Sequence, residues 1–352
     1  MAGLVAAVRA RQLGLEPELL EKGDRPGGSM LFSSCVIWRY RSLADFRREC
    51  PDGDERLQRL LIERLDEALD WLEALGAPVV TRETGNPRTL GRRFEPRALT
   101  DALARAAGDI RLGEPLLESA ARPVVLATGG FPVTLAERRG LLLRANPWSE
   151  GDGLRIAGER GAATVGDADE FYGRALPAPP ARIAEADFVR LAQLYGRHAL
   201  VLDETGEEFA PDPVSWSEID LVQAIARRPG ARAWYVVDEP TLNVRVRERT
   251  VGEMIEAARK AGGTVLLAAE LPFPLPAACR YAVHVQAAVT HTLGGVRVDE
   301  HARVVDDRDR PLDGLYAAGV DVGGVANGGY ASGLAQALVL GLIAAETAAR
   351  EF

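Results

Sequence analysis

The amino-acid sequence predicts an α/β fold in which a first domain is interrupted by an inserted α+β domain and completed by the C-terminal residues. Three observations carry that expectation. Strand and helix signals alternate along the chain without an internal repeat. The apolar, β-branched run PVVLATGG, from Pro123 to Gly130, is closed by two glycines in the manner of a buried parallel strand. The C-terminal stretch GLYAAGVDVGGVANGGYASGLAQALVLGLIAAETAA reads as a strand, a glycine loop and a long apolar helix.

Taken in order, residues 2–13 read as a helix and ELLEKG, ending at Gly23, as a short strand followed by the breakers GDRPGG. From Asp54 to Leu75 the residues Leu57, Leu60, Leu61, Leu65, Leu69 and Leu72 recur at helical spacing, and Pro96 to Ala107 forms a further helix. Composition changes near Asn146. From there to about Val285 short strands (HALVLD, AWYVVD, GTVLLAA) alternate with helices and Pro-rich connections such as LPAPPA and LPFPLP. The division is therefore 1–150 for the first part of the main domain, 151–285 for an inserted substrate-side domain, and 286–352 for the second part.

Composition limits the function classes. With 352 residues, 47% hydrophobic and 26% charged, the chain has the balance of a globular protein. A net charge of −9 and a pI near 5.2 exclude a general nucleic-acid binder, which needs a basic face. No unbroken run of 18 or more uncharged apolar residues predicts a membrane span. The first residues lack a secretory pattern, so a cytoplasmic location is expected. Cys35, Cys50 and Cys279 lie without metal-ligand or paired spacing, so neither a metal nor a disulfide framework is expected.

The N-terminal residues can be tested against what a dinucleotide demands. A Rossmann-like fold uses glycines to bring backbone and a helix N-terminus to the pyrophosphate, with an acid about 20 positions on for the ribose hydroxyls. Gly3 stands as the third glycine and Glu21 closes the next strand, while the first two glycines and first strand have no counterpart. Alone, an Ala-rich helix before a strand ending in Glu also describes plain α/β structure. Glu21-Lys22-Gly23 is followed, however, by Arg25-Pro26-Gly27-Gly28-Ser29 and then Ser33-Ser34. A Gly-Gly-Ser turn there suits a flavin enzyme, whose backbone must pass under the bulky cofactor, better than a nicotinamide dehydrogenase.

At these residues the chain resembles the FAD-binding flavoproteins of the fumarate reductase, succinate dehydrogenase flavoprotein subunit and ketosteroid dehydrogenase type. Five motifs carry the resemblance in order: Glu21, Lys22, Gly27, Gly28 and Ser29; Ala127-Thr128-Gly129-Gly130; Gly151-Asp152-Gly153; Thr290-His291-Thr292-Leu293-Gly294-Gly295; and Leu315 to Asp321, followed by Gly333-Leu334-Ala335. The resemblance implies a glutathione-reductase-like FAD-binding domain with a capping domain inserted. It implies ribose contacts from Glu21, flavin-side contacts from Gly27 to Ser29, Ser33 and Ser34, ribityl binding by Asp321, and a helix starting at Gly333 and Leu334 whose positive end stabilises the reduced ring. Without a His near Ser33-Ser34, the FAD is expected to be non-covalent. Read singly, Gly129 and Gly130 also fit a strand end, His291 a turn histidine held by backbone, and Asp321 a cap of the following loop.

The reaction implied is hydride transfer between flavin and a carbon next to a carbonyl, as desaturation or alkene reduction, with a protein group moving the second proton. Fumarate reductases place one Arg beyond a segment like HALVLDETGEEF and another in the C-terminal glycine loop. Here Trp216 stands near the first position and Asn327-Gly328-Gly329-Tyr330 across the second. Without an Arg fork a dicarboxylate is poorly held, so the expected partner is a small-molecule substrate with a carbonyl rather than fumarate or succinate; the electron donor or acceptor is unnamed. His291 and Tyr330 are the candidate polarising or proton-transfer groups, joined by Tyr172, which also fits an aromatic packed in the second domain.

Two departures from the family shape a competing expectation. A sheet without its first, central strand loses neighbours on two sides, a deficit larger than the usual stability margin of about 5–15 kcal/mol, and the interval from Gly108 to Pro123 is short for the meander of relatives. Either Met1 is an internal residue of a longer G-x-G-Met-Ala-Gly motif, or the chain is a relative that binds no flavin and acts at most as a binding protein. A nicotinamide-dependent dehydrogenase would explain Glu21 but not the glycine-rich C-terminal half.

Overall fold

A computed structural model describes residues 1–117 and 123–351. The fold is mixed α/β, and contacts divide it into two compact units. One comprises Met1–Thr134, Ala145–Phe171 and His291–Phe352; the other comprises Leu135–Arg144 and Tyr172–Thr290. The breaks between the units fall at 171/172 and 290/291, and the short segment Leu135–Arg144 joins the second unit.

In the first unit, the helix Ala2–Gln12 buries Leu4, Val5, Ala7 and Val8. Its small residues let it approach the terminal helix Gly333–Glu351 so closely that a Cβ on Gly341 would stand 2.9 Å from the Ala2 carbonyl oxygen. The terminal helix is, among the described residues, the one long and apolar enough to cross a membrane, although Glu346 and Arg350 interrupt its apolar run. Since 72% of that stretch is buried, its apolarity serves the core. The helix Glu55–Ala74 starts at Asp54, whose carboxylate accepts from Arg56 N–H at 2.8 Å, and buries Leu57, Leu61, Leu65, Leu69 and Leu72. Leu60 is only half-buried. Gln58 instead fills the apolar face, donating to the Cys50 and Val325 carbonyls at 2.9 and 3.0 Å. The helix Pro96–Ala107 has Pro at its first position, a cap from Glu95 and a terminating Gly108 at φ +79°.

The first unit's strands fall into separate pieces. Leu20–Glu21 pairs in parallel with Arg111–Leu112. Val124–Leu126 pairs in parallel with Pro311–Ala317, with Leu315 opposite Val124, and Pro311–Ala317 in turn pairs antiparallel with Arg303–Val305. Among the described residues no ladder joins these two pieces. An antiparallel sheet of Val36–Tyr40, Thr89–Phe94 and Val79–Thr81 and an antiparallel pair of Thr164–Val165 with Gly295–Val296 belong to the same unit. Arg111–Leu112 lies within the short interval after Gly108, of which residues 118–122 are outside the described residues.

The second unit is built on a sheet ordered Leu200–Leu202, Arg232–Asp238, Cys279–Thr292, Val265–Leu267, to which Leu142–Leu143 and Phe171–Pro177 add. The 14-residue strand Cys279–Thr292 is buried from Ala282 to Val289 and organises it. Leu202, Trp234, Val236 and Ala282 form one core cluster. The helix Val251–Lys260 begins in a reciprocal cap, Thr250 Oγ1 accepting from Glu253 N–H and the Glu253 carboxylate from Thr250 N–H.

Candidate functional site

The acidic strand end folds back on itself. Glu21 Oε1 accepts from Gly23 N–H at 2.8 Å, and Gly23 has no room for a side chain because the Trp148 ring would lie 2.4 Å from its Cβ. Lys22 Nζ reaches Asp152 at 2.8 Å and Glu150 at 2.5 Å, so a residue adjoining the expected ribose acid is tied to the start of the helix Asp152–Glu159. Burial lowers the affinity of the Lys22 amine for its proton, but the hydrogen bonds it donates to Asp152 and Glu150 outweigh this and hold the group above its ordinary value. Gly27 is left-handed at φ +110° and opens the short helix Gly28–Phe32. Ser29 Oγ accepts from Asn146 N–H at 2.9 Å. Ser33 Oγ donates to the Met30 carbonyl and accepts from Cys35 N–H, and Ser34 is half-buried.

The second cluster is a knot around Asp321, whose residue is 2% exposed. One carboxylate oxygen accepts from Thr128 Oγ1 at 2.8 Å and from Gly130 N–H at 3.0 Å, while the other accepts from Thr128 N–H. Thr128 Oγ1 accepts in turn from Gly153 N–H at 3.0 Å. The motifs at 127–130, 151–153 and 315–321 are thereby brought to one place. Burial pushes the Asp321 carboxyl up, against the downward pull of the Thr128 and Gly130 donors. Gly129 and Gly130 are both left-handed, and a Cβ on either would stand 2.6 Å from a hydroxyl, Ser149 Oγ and Thr292 Oγ1 respectively. Gly3 packs against Ala127 at ordinary contact distance, 3.5 Å from its would-be Cβ.

The third cluster joins the 291–295 turn to the C-terminal glycine loop. The His291 ring lies 3.1 Å from where a Cβ on Gly333 would stand, so Gly333 and Leu334 open the terminal helix beneath the imidazole. Gln336 donates to the Gly319 and Val322 carbonyls at 2.8 and 2.7 Å, fixing the Asp321 turn to that helix. The Tyr330 carbonyl accepts from Tyr40 O–H at 2.5 Å, and its ring meets Trp38 edge-on at 5.3 Å. Tyr172 belongs to the second unit, on the strand Phe171–Pro177, with the Arg174 guanidinium 5.0 Å above its ring.

Several residues at these places were not singled out by sequence reasoning. Glu170, two residues before Tyr172, accepts from Asn327 Nδ2 and from Gly328 N–H, both at 2.7 Å. In the second unit Glu218 is buried at φ +57°, accepts from Arg197 N–H at 3.1 Å, and has its carboxyl raised by burial. A non-glycine residue in the left-handed region is visible only in the structure.

The family described as FAD binding domain matches residues 1–119 and 113–333. The chain belongs to this FAD-binding family, and its cofactor is FAD. A probable fumarate reductase of Shewanella frigidimarina (strain NCIMB 400) is 24% identical over 442 residues, covering 99% of this chain and 73% of that protein. The NADH:fumarate oxidoreductase of Klebsiella pneumoniae (strain 342) is 23% identical, but the chain spans only 46% of its length. Among solved structures, an open conformation of a flavocytochrome c3 fumarate reductase superposes with a TM-score of 0.71 at 22% identity, over 99% of this chain and 76% of that one. A 3-ketosteroid Δ1-dehydrogenase from Sterolibacterium denitrificans gives 0.71 at 17% identity, over 100% and 98%. These likenesses show the fold. The polar atoms fit a polar ligand: Thr292 Oγ1 and Asn327 Oδ1 are buried without a hydrogen-bond partner in the chain, a state that costs about 1–3 kcal/mol per group until something pairs with it.

Proposed function

We propose that this chain is an FAD-dependent oxidoreductase acting on CH–CH groups, moving a hydride between flavin and a carbon next to a carbonyl, by desaturation or alkene reduction. The observation that carries the reading is the Asp321 knot together with the His291 ring over the start of the terminal helix, which gathers four of the five flavoprotein motifs in one unit. Bound FAD supplies the two-electron acceptor or donor. Glu21, Lys22, Gly27 to Ser29, Ser33, Ser34, Ala127 to Gly130, Asp152, Gly333 and Leu334 hold it without a covalent bond, and Gly3 packs the first helix against the strand end. Asp321, held by Thr128, Gly129 and Gly130, fixes the strand end at 127–130 and is assigned the ribityl chain.

His291 and Tyr330 polarise the substrate carbonyl or move its proton, Tyr172 contributes from the second unit, and that unit, spanning most of 151–285, acts as the capping domain. The substrate is a neutral or apolar small molecule with a carbonyl. What supports this over fumarate or succinate is the use already made of Arg144 in the second unit. Its guanidinium donates to the Phe188 carbonyl from Nε and to Thr290 Oγ1 from Nη1, so that edge is committed within the chain. The second reading, a relative that binds without catalysis, is favoured by the two unconnected strand pieces of the first unit.

The visible absorption spectrum of the purified chain before and after addition of FAD, followed by reduction or oxidation of the bound flavin with a panel of ketones and enoates, tests both. Flavin bands with turnover on an uncharged enone are expected. Bands with turnover on fumarate alone overturn the substrate assignment, and the absence of flavin bands overturns the oxidoreductase reading.

A further inference from the structure

We propose that Glu170 is the positioning residue that sets the 327–330 loop against the 291–295 turn, and so places Tyr330 relative to His291. The inference rests on the reading of Tyr330 and His291 as the groups that act on substrate.

Glu170 is a junction of three segments. Its carboxylate accepts from Asn327 Nδ2 and from Gly328 N–H, both at 2.7 Å, and its carbonyl accepts from Leu293 N–H at 3.0 Å. One residue therefore bonds the turn that carries His291 and the loop that carries Tyr330. Beyond Glu170, the loop is held by Gly329 N–H donating to the Ala326 carbonyl at 3.0 Å and by Tyr40 O–H donating to the Tyr330 carbonyl. Gly328 is left-handed at φ +79°, and Gly329 passes so close to the Glu49 carbonyl that a Cβ would stand 1.7 Å from it. Glycines hold no conformation by themselves, so the path of 327–328 into Tyr330 depends on the grip of Glu170 as well as on the contacts of Tyr330 itself. Asn327 is buried, and its Oδ1 has no partner in the chain, so the donor bond to Glu170 fixes which way the amide points.

The charge form of Glu170 matters as well as its shape. Both groups it receives are donors, and a carboxylate accepts on each oxygen. A Gln side chain offers one acceptor and one NH2, so Glu170→Gln sets a donor against a donor whichever way it lies. Glu170→Asp keeps two acceptors on a stem shorter by one methylene.

The test uses the full chain with FAD, labelled with a fluorinated tryptophan. The five tryptophans give five fluorine resonances, and the Trp38 signal is identified by its loss in Trp38→Phe. Because the Tyr330 ring meets Trp38 edge-on at 5.3 Å, that signal reports the loop without reference to turnover. In Glu170→Gln the Trp38 resonance is expected to shift or broaden while those of Trp71, Trp148, Trp216 and Trp234 stay. kcat should fall at least about tenfold, the loss of one hydrogen bond to a charged group, with KM and FAD affinity changing less. Glu170→Asp should recover part of both effects. An unmoved Trp38 resonance in a folded Glu170→Gln protein overturns the proposal. If Glu170→Gln does not fold, Glu170→Asp decides it by the same resonance. A Tyr330→Phe enzyme with full turnover overturns the role given to Tyr330, and the fluorine shift alone then decides the role of Glu170.

Discussion

Gly130→Ala, set beside Gly3→Ala, separates a glycine the architecture requires from one that merely belongs to a motif. At Gly130 the backbone is left-handed at φ +70°, which costs an L-residue about 1–2 kcal/mol. The added methyl would also stand 2.6 Å from Thr292 Oγ1, 2.9 Å from Val320 Cγ1 and 3.2 Å from the Val320 carbonyl. Thr292 can turn aside, but the backbone carbonyl cannot, and relieving such overpacking costs about 1–3 kcal/mol. Together these give roughly 2–5 kcal/mol, a fall of about 3–7 °C in Tm for a protein of this size. At Gly3 the methyl meets Ala127 and Leu19 at 3.5 and 3.7 Å, ordinary contact, inside a helix where Ala is favoured over Gly by up to about 1 kcal/mol. Thermal melts of both variants with and without saturating FAD are the assay, since ligand adds its own stabilisation. Gly130→Ala should fall in both conditions and Gly3→Ala should hold or rise. A Gly130→Ala protein that melts with the parent, or a Gly3→Ala protein that falls as far, refutes the steric argument.

Lys22→Met should cost no more than about 1 kcal/mol at low ionic strength, because the ion pairs to Glu150 and Asp152 are partly exposed, and most of that difference should vanish in about 1 M salt. The folded Lys22 value is raised, so its contribution is present below the ordinary lysine pKa and lost as pH rises through the folded one; melts with a chemical denaturant at pH 8 and above 10 check the sign. Asp321 has a consequence of the same sign nearer acid pH. Its folded value is also raised, so its favourable contribution is complete below the ordinary carboxylate range and is lost as pH rises through the folded value. The stability difference between parent and Asp321→Asn should therefore move against the parent between pH 4 and 7, and a difference moving the other way refutes the burial argument. Tyr330→Phe should lower kcat on an enone about a hundredfold or more with unchanged FAD affinity, measured by steady-state turnover and flavin absorbance titration.

What was legible in the sequence was whatever is written locally. The helix Pro96–Ala107 carries its own Pro, its capping acid and its stopping glycine, and the helix Glu55–Ala74 shows its leucines at helical spacing. The strand Val36–Tyr40 is not legible in the sequence, because its partner Thr89–Phe94 lies far along the chain, with Val36 opposite Arg93. Leu60 satisfied the period yet lies half-exposed, while the polar Gln58 was buried to satisfy two carbonyls that only the folded chain brings near it.

The same division runs through the candidate site, and it assigns the motif residues a double duty. The acids recognised from their motifs already have partners in the chain: Glu21 takes Gly23, Asp152 takes Lys22, and Asp321 takes Thr128 and Gly130 from 193 and 191 positions away. A carboxylate that takes four donors within the chain, as Asp321 does, holds the geometry first. This explains why Glu170, outside every motif, matters as much as the residues within them. Tyr330 lies beyond two glycines, one of them left-handed, and can be aimed only from outside its own segment. Motifs mark where the backbone must bend toward a cofactor; the residues that fix how far it bends are distant acids whose partners appear only when the chain has folded.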